Sequence, residues 1–122
     1  MVAGAPPRFR DSAAIVLVRG HGRELEVFWV RRSDAVSVQP DFWAFIGGKL
    51  DAQDAALPLA GVESAAERAA RACAIREALE ETGVLVAVEG AVDAAALAAA
   101  RAELLAGHAT LAALAERHGW RL

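Results

Sequence analysis

The segment Arg76-Glu77-Ala78-Leu79-Glu80-Glu81-Thr82-Gly83-Val84 limits the folds open to this chain more than any other. At about 100° per residue, a helix brings Glu77, Glu80 and Glu81 together at i, i+3 and i+4 and turns Ala72, Ile75 and Leu79 to the other side. One face is therefore made to pack, and the opposite face gathers negative charge. Like charges at i,i+4 cost an isolated helix about 0.2–0.5 kcal/mol, so the trio asks for a solvated surface or a cation. Hard oxygen donors suit Mg2+. Glu-rich faces are also common solvated surfaces, and the segment alone does not separate the two readings. Gly83 is a helix stop, and Ser64 with Glu67 three residues on reads as a capping box. The helix is expected to start near Ala65 and end at Gly83.

A second element lies upstream. In Phe45-Ile46-Gly47-Gly48-Lys49-Leu50-Asp51 a glycine pair follows an aromatic, apolar run, where backbone can approach a ligand without Cβ interference. Together the two elements resemble the Nudix hydrolase family, whose signature reads G-x5-E-x7-R-E-U-x-E-E-x-G-U with U aliphatic. Arg76 and Glu77 match the R-E pair, Ala78 the small aliphatic position, Glu80 and Glu81 the E-E pair, Gly83 the glycine and Val84 the last aliphatic. The first half is looser. Six residues on from Gly48 stands Asp54, where the family has Glu, and 21 residues rather than seven separate it from Arg76. The signature is thus lengthened by about fourteen residues, which a loop accommodates at modest entropic cost.

The run from Arg31-Arg32-Ser33 to Pro40, with the glycine segment and Asp54, looks like the coenzyme A diphosphatase-like subgroup, and is similar also to Nudix modules joined to a metallo-β-lactamase domain. Ile46 replaces the proline usual before the glycine pair, and Asp41 stands where a glycine is common. The additional motif of the better-known coenzyme A hydrolases is not recognisable. The resemblance implies a diphosphatase acting on nucleoside diphosphate-linked small molecules, with Mg2+ or Mn2+ as cofactor. Glu77, Glu80, Glu81 and the Gly47 carbonyl would hold the metal. Glu77 would be the general base, Arg76 would orient it, and Lys49 and Gly48 would meet the phosphates. The fold it implies is α/β in the α+β sense, a mixed sheet packed by helices.

Composition bounds the rest. With 122 residues, 56% of them hydrophobic and 24% charged, the chain is expected to be a single small domain with enough apolar material for a core. A net charge of −3 without a basic tract argues against a nucleic-acid partner. Lone Cys73 offers no disulfide and reads as a small buried residue. The amino terminus has Pro6 and Pro7 where a signal peptide needs an apolar run, and no segment has membrane-spanning length without charge, so a cytoplasmic protein is expected.

The domain divides into an N-terminal tail at 1–11, the lengthened Nudix box at 47–84 and a helical C-terminal segment at 93–119. The runs Ala13–Val18 and Leu25–Val30 read as a hairpin, Phe42–Phe45 as a short strand, Asp51–Val62 as a loop, and Val84–Val88 as a returning strand. Asp93 caps a helix of about Ala94 to Ala106, and Thr110 caps another ending before Gly119. His21, His108 and His118 read as solvent or helix-end residues; Trp29, Trp43 and Trp120 read as core or lid anchors. The Nudix resemblance implies further strands after the box helix. Their absence points to truncation on the C-terminal side, and to an open sheet edge calling for a second copy or the missing portion. The competing reading is therefore a non-catalytic or truncated Nudix-like module serving as an interaction domain.

Overall fold

The computed structural model describes residues 10–33, 35 and 40–122. Most of the N-terminal tail and residues 34 and 36–39 thus lie outside the described residues. Six short strands come first: β1 (Ser12–Ile15), β2 (Val18–Arg19), β3 (Glu26–Val27), β4 (Val30–Arg31), β5 (Trp43–Ala44) and β6 (Ile46–Lys49). They form three antiparallel pairs, β1 with β6, β2 with β3 and β4 with β5. The expected hairpin is present in β2–β3, extended by Phe28 N–H donating to the Leu17 carbonyl at 2.9 Å. The first half of the same run, however, leaves the hairpin and pairs with β6, placing Ala13 opposite Gly48 and Ala14 opposite Gly47. The glycine pair therefore lies inside a strand rather than in a loop after one.

Three helices follow, α1 (Ala65–Thr82), α2 (Ala94–Leu105) and α3 (Leu111–His118). Their ends obey local signals. Ser64, Asp93 and Thr110 accept from Glu67, Ala96 and Ala113 N–H, and Gly83 and Gly119 close α1 and α3 in the left-handed conformation. The reciprocal capping box expected at Ser64 occurs elsewhere: Glu67 turns to Arg71, while Asp51 and Asp54 cap each other on the 3-10 turn Ala52–Ala56. That turn organises the first part of the segment expected as a loop.

The returning strand at Val84–Val88 does not form. Ala87 takes φ +60°, which breaks the extended backbone, and the segment packs Leu85, Val86 and Val88 onto the helices instead. Leu57, Ile75, Leu79, Leu104, Leu111 and Leu114 are the large members of that core. Trp120 packs against it and stacks on His118 at 4.7 Å between ring centroids. Trp29 and Trp43 are exposed rather than core residues, at 54% and 61%. The Glu89 and Ala60 N–H groups bond the Arg121 and Leu122 carbonyls, tying residues 121–122 to two loops. No described helix is long and apolar enough to cross a membrane.

Candidate active site

The charged face of α1 is organised by Arg76. Arg76 is 4% exposed, and its guanidinium donates twice to Asp54, through Nε at 2.7 Å and Nη2 at 3.1 Å. Nη1 bridges Glu77 at 3.0 Å and Glu80 at 3.2 Å, and Nη2 also reaches the Lys49 carbonyl at 3.2 Å. One planar fork thus ties the 3-10 turn, β6 and the carboxylate helix together, a geometry guanidinium supports and ammonium does not. The hydrogen bond to Asp54 holds Arg76 above its ordinary pKa against the opposing effect of burial. Asp54 is 2% exposed, and its Oδ2 also accepts from Asp51 N–H at 2.7 Å. A buried carboxylate so supplied with donors is a structural anchor for the arginine.

Gly48 explains why β6 must carry glycine at this point. A Cβ there would stand 2.3 Å from Glu77 Oε1 and 2.5 Å from its Cδ. The space expected for a ligand is thus occupied by the Glu77 carboxylate, which lies directly on the strand backbone. Alternation along β6 turns the exposed Lys49 away from that face. The Lys49 contribution to the cluster is its carbonyl, not its ammonium. Gly47 sits in register with Ala14 rather than at a loop tip. Cys73 is buried, its thiol bonded to the Gly48 and Lys49 carbonyls at 3.5 Å, and burial pushes its pKa up. That is the inert state of a thiol, as the sequence suggests.

Glu80 and Glu81 are both raised above 4.5, in each case first by loss of solvation. For Glu80 the Arg76 charge is the chief opposing effect. For Glu81 the charge of Glu77 and a hydrogen bond with it add to the rise, and Arg32 opposes it. Glu81 thus lies within reach of the Glu77 carboxylate one turn back on the same face, an arrangement that a cation favours. A cleft of about 760 Å³ opens at the same end of α1, lined among others by Val27, Phe28, Trp29, Thr82 and Val84.

Comparison with known proteins agrees with this architecture. The NUDIX domain family matches residues 8–96, most of the chain and all of the carboxylate helix. The chain belongs to the Nudix family. The crystal structure of a NUDIX hydrolase from Alicyclobacillus acidocaldarius superposes with a TM-score of 0.75 at 28% identity, over 97% of this chain and 58% of that one. The α+β fold is thus shared, and the chain spans a little over half the length of that structure. No curated protein matches.

Enzymes of the Nudix family generally use divalent metal ions. The paired Glu77 and Glu81 carboxyls, hard oxygen donors held against each other, fit such an ion. Glu80 shares Arg76 Nη1 with Glu77, and among the described residues no three His, Cys, Asp or Glu side chains form a ready-made cage. Of the trio expected from helix spacing, Glu77 and Glu80 are thus both bound by Arg76, and Glu81 stands beside Glu77. Sequence reasoning did not assign Arg32, which faces Glu81 from beyond β4, or Arg101, which reaches α1 from α2. Arg32 carried no spacing signal. Arg101 carried a faint one, as the lone cation of α2, directly after the Ala-rich stretch at 94–100.

Proposed function

We propose that the chain is a Nudix hydrolase that cleaves the diphosphate linkage of nucleoside diphosphate-linked metabolites with Mg2+ or Mn2+ as cofactor. The observation that carries this reading is the set of three carboxylates on one face of α1, with Glu77 and Glu80 both held by Arg76, which also fixes the helix to β6. Glu77, Glu81 and Glu80, with the Gly47 carbonyl, are the oxygens that would hold the divalent ion. When bound, that ion supplies charge neutralisation at the diphosphate and a usable water nucleophile near neutral pH.

The residues of the chain do the remaining work. Glu77 accepts a proton from the attacking water, while Arg76 Nη1 holds its Oε1 and keeps the carboxylate oriented. Water adds in line to one phosphorus, the bridging P–O bond breaks, and the second phosphate leaves. Asp54 keeps Arg76 in place and does not touch the reacting atoms. The cleft walled by Phe28 and Trp29 suits the non-reacting part of such a substrate, since ligand clefts are mostly apolar with a few polar groups. The lengthened segment between Asp54 and Arg76 supports the coenzyme A diphosphatase-like subgroup, and coenzyme A itself heads the substrates to try.

The test is divalent-dependent hydrolysis of coenzyme A, ADP-ribose, dinucleoside polyphosphates and nucleoside triphosphates by the 122-residue chain and its Glu81→Gln variant. Turnover present in the first and lost in the second is expected. No turnover of any substrate at any Mg2+ or Mn2+ concentration overturns the hydrolase. One observation favours a second reading, a non-catalytic Nudix module that binds a partner: the apolar side chains exposed along the strands, among them Phe42 and Trp43 at 61% each. Phosphate-linked ligands bound without turnover would select it.

A further inference from the structure

The last turn of α1 carries two of the three site carboxylates, Glu80 and Glu81, and is the part of a helix most prone to fray. Helix geometry leaves its final carbonyls without intrahelical partners. The carboxylates at i, i+3 and i+4 repel one another, and the negative end of the helix dipole adds to that repulsion. Something outside the helix must hold this turn.

Arg101 does so from α2. Its Nε donates to the Leu79 carbonyl at 3.0 Å and the Glu80 carbonyl at 3.1 Å, and its Nη2 donates to the Glu80 carbonyl at 2.7 Å. Leu79 O also receives Gly83 N–H at 2.9 Å, so the guanidinium completes a cap that the glycine begins. The side chain lies over Gly83, with its Cδ 3.7 Å from where a Cβ on that residue would stand. The two carbonyls belong to the peptide planes leading into the Cα atoms of Glu80 and Glu81. Holding those planes sets the directions in which both side chains leave the helix.

We propose that Arg101 is a positioning residue for the carboxylate turn: by clamping the Leu79 and Glu80 carbonyls from α2, it holds Glu80 and Glu81 in the arrangement that takes a divalent cation. Position 101 lies beyond the segment matched to the Nudix domain, which ends in the first turn of α2. The inference rests on the divalent-binding reading of the turn proposed above.

The test compares wild type, Arg101→Met and Arg101→Lys in two measurements that need no turnover. Mn2+ titration followed by electron paramagnetic resonance gives the affinity, and amide hydrogen exchange over residues 79–84 without metal gives the order of the turn. Arg101→Met, which keeps the aliphatic packing, is expected to weaken Mn2+ binding about 10- to 100-fold, as loss of a group that orients ligands does. Its exchange over 79–84 accelerates, and Arg101→Lys recovers part of the affinity. Wild-type Mn2+ affinity in Arg101→Met, with or without faster exchange, overturns the proposal and leaves Arg101 as a helix cap only. A wild-type chain that binds Mn2+ but hydrolyses no diphosphate sinks the hydrolase reading instead, and the affinity ratio still decides Arg101.

Discussion

The strand half of the molecule, residues 12–49, and the helical half that follows are built on different economies. In the helical half, Leu57, Ile75, Leu79, Leu104, Leu111 and Leu114 converge in one buried cluster. Among the described residues, the strand half contributes none to that cluster and contains all but two of the exposed large hydrophobics, from Val16 to Phe45. Its described strands are two to four residues long and pair two by two. Two-stranded pairs are marginal in water, so β1 and β6 depend on packing against α1. Local order in this chain thus follows helix packing, and the site lies at the seam, where β6 and the 3-10 turn meet the charged side of α1. Mechanical support and chemistry share Arg76.

The comparison can be broken most severely at that seam. Arg76→Met leaves the Asp54 carboxylate buried without its partner, and breaking one side of such a pair costs about 3–5 kcal/mol. Urea denaturation is expected to show it, with part of the loss returned in the double variant Arg76→Met/Asp54→Leu, which still forgoes the Asp51 N–H bond to Asp54. Within the helical half, Leu79→Ala removes a fully buried side chain and should cost about 2–5 kcal/mol, whereas Trp43→Ala in β5 should stay within about 0.5 kcal/mol. Equal losses at the two positions would dissolve the contrast between the halves.

Smaller effects sharpen it. Ala87→Gly relieves a left-handed alanine in the stretch where a strand fails to form, and should raise stability by about 1 kcal/mol in thermal denaturation. Asp41 is the other left-handed non-glycine residue, at φ +64°, but its carboxylate accepts from Arg31 at 3.2 Å across an exposed turn. Asp41→Gly exchanges strain for an exposed ion pair, and its net effect should be smaller than that of Ala87→Gly. Glycine is common at this position in the resembling family, and the backbone conformation supplies the reason.

The pH dependence distinguishes site from scaffold. Glu80 and Glu81 have pKa values raised above 4.5 in the folded chain, so the native state holds protons that the unfolded chain has released. Their contribution to stability is largest at low pH and falls as pH rises through the folded values. Glu81→Gln is therefore expected to flatten that fall and to stabilise the protein near neutral pH while removing divalent-dependent turnover. A variant less stable than wild type at pH 7 would contradict the electrostatic account of the carboxylate pair.

Much of the helical half was legible in the sequence because its signals are local. Ser64, Asp93 and Thr110 start helices, Gly83 and Gly119 stop two of them, and each acts within four residues of its own position. The carboxylate face of α1 was legible for the same reason, since side-chain direction follows from helical repeat alone. The strand half was less so. Ala13–Val18 looks like one strand, yet β1 and β2 take different partners, because pairing is chosen by contacts far along the chain. Val84–Val88 has strand composition, but packing onto the helices and a left-handed Ala87 override it.

The sequence by itself determined where the helices run and that three carboxylates would share one helical face, because both depend on residues within a few positions of each other. Only the tertiary structure decided what those carboxylates meet: Gly48 beneath Glu77, Asp54 bonded to Arg76 from 22 residues away, and Arg101 on the Glu80 carbonyl. Each is a contact between distant segments, whose formation depends on how β6, the 3-10 turn and α2 are brought against α1 by burial of the core.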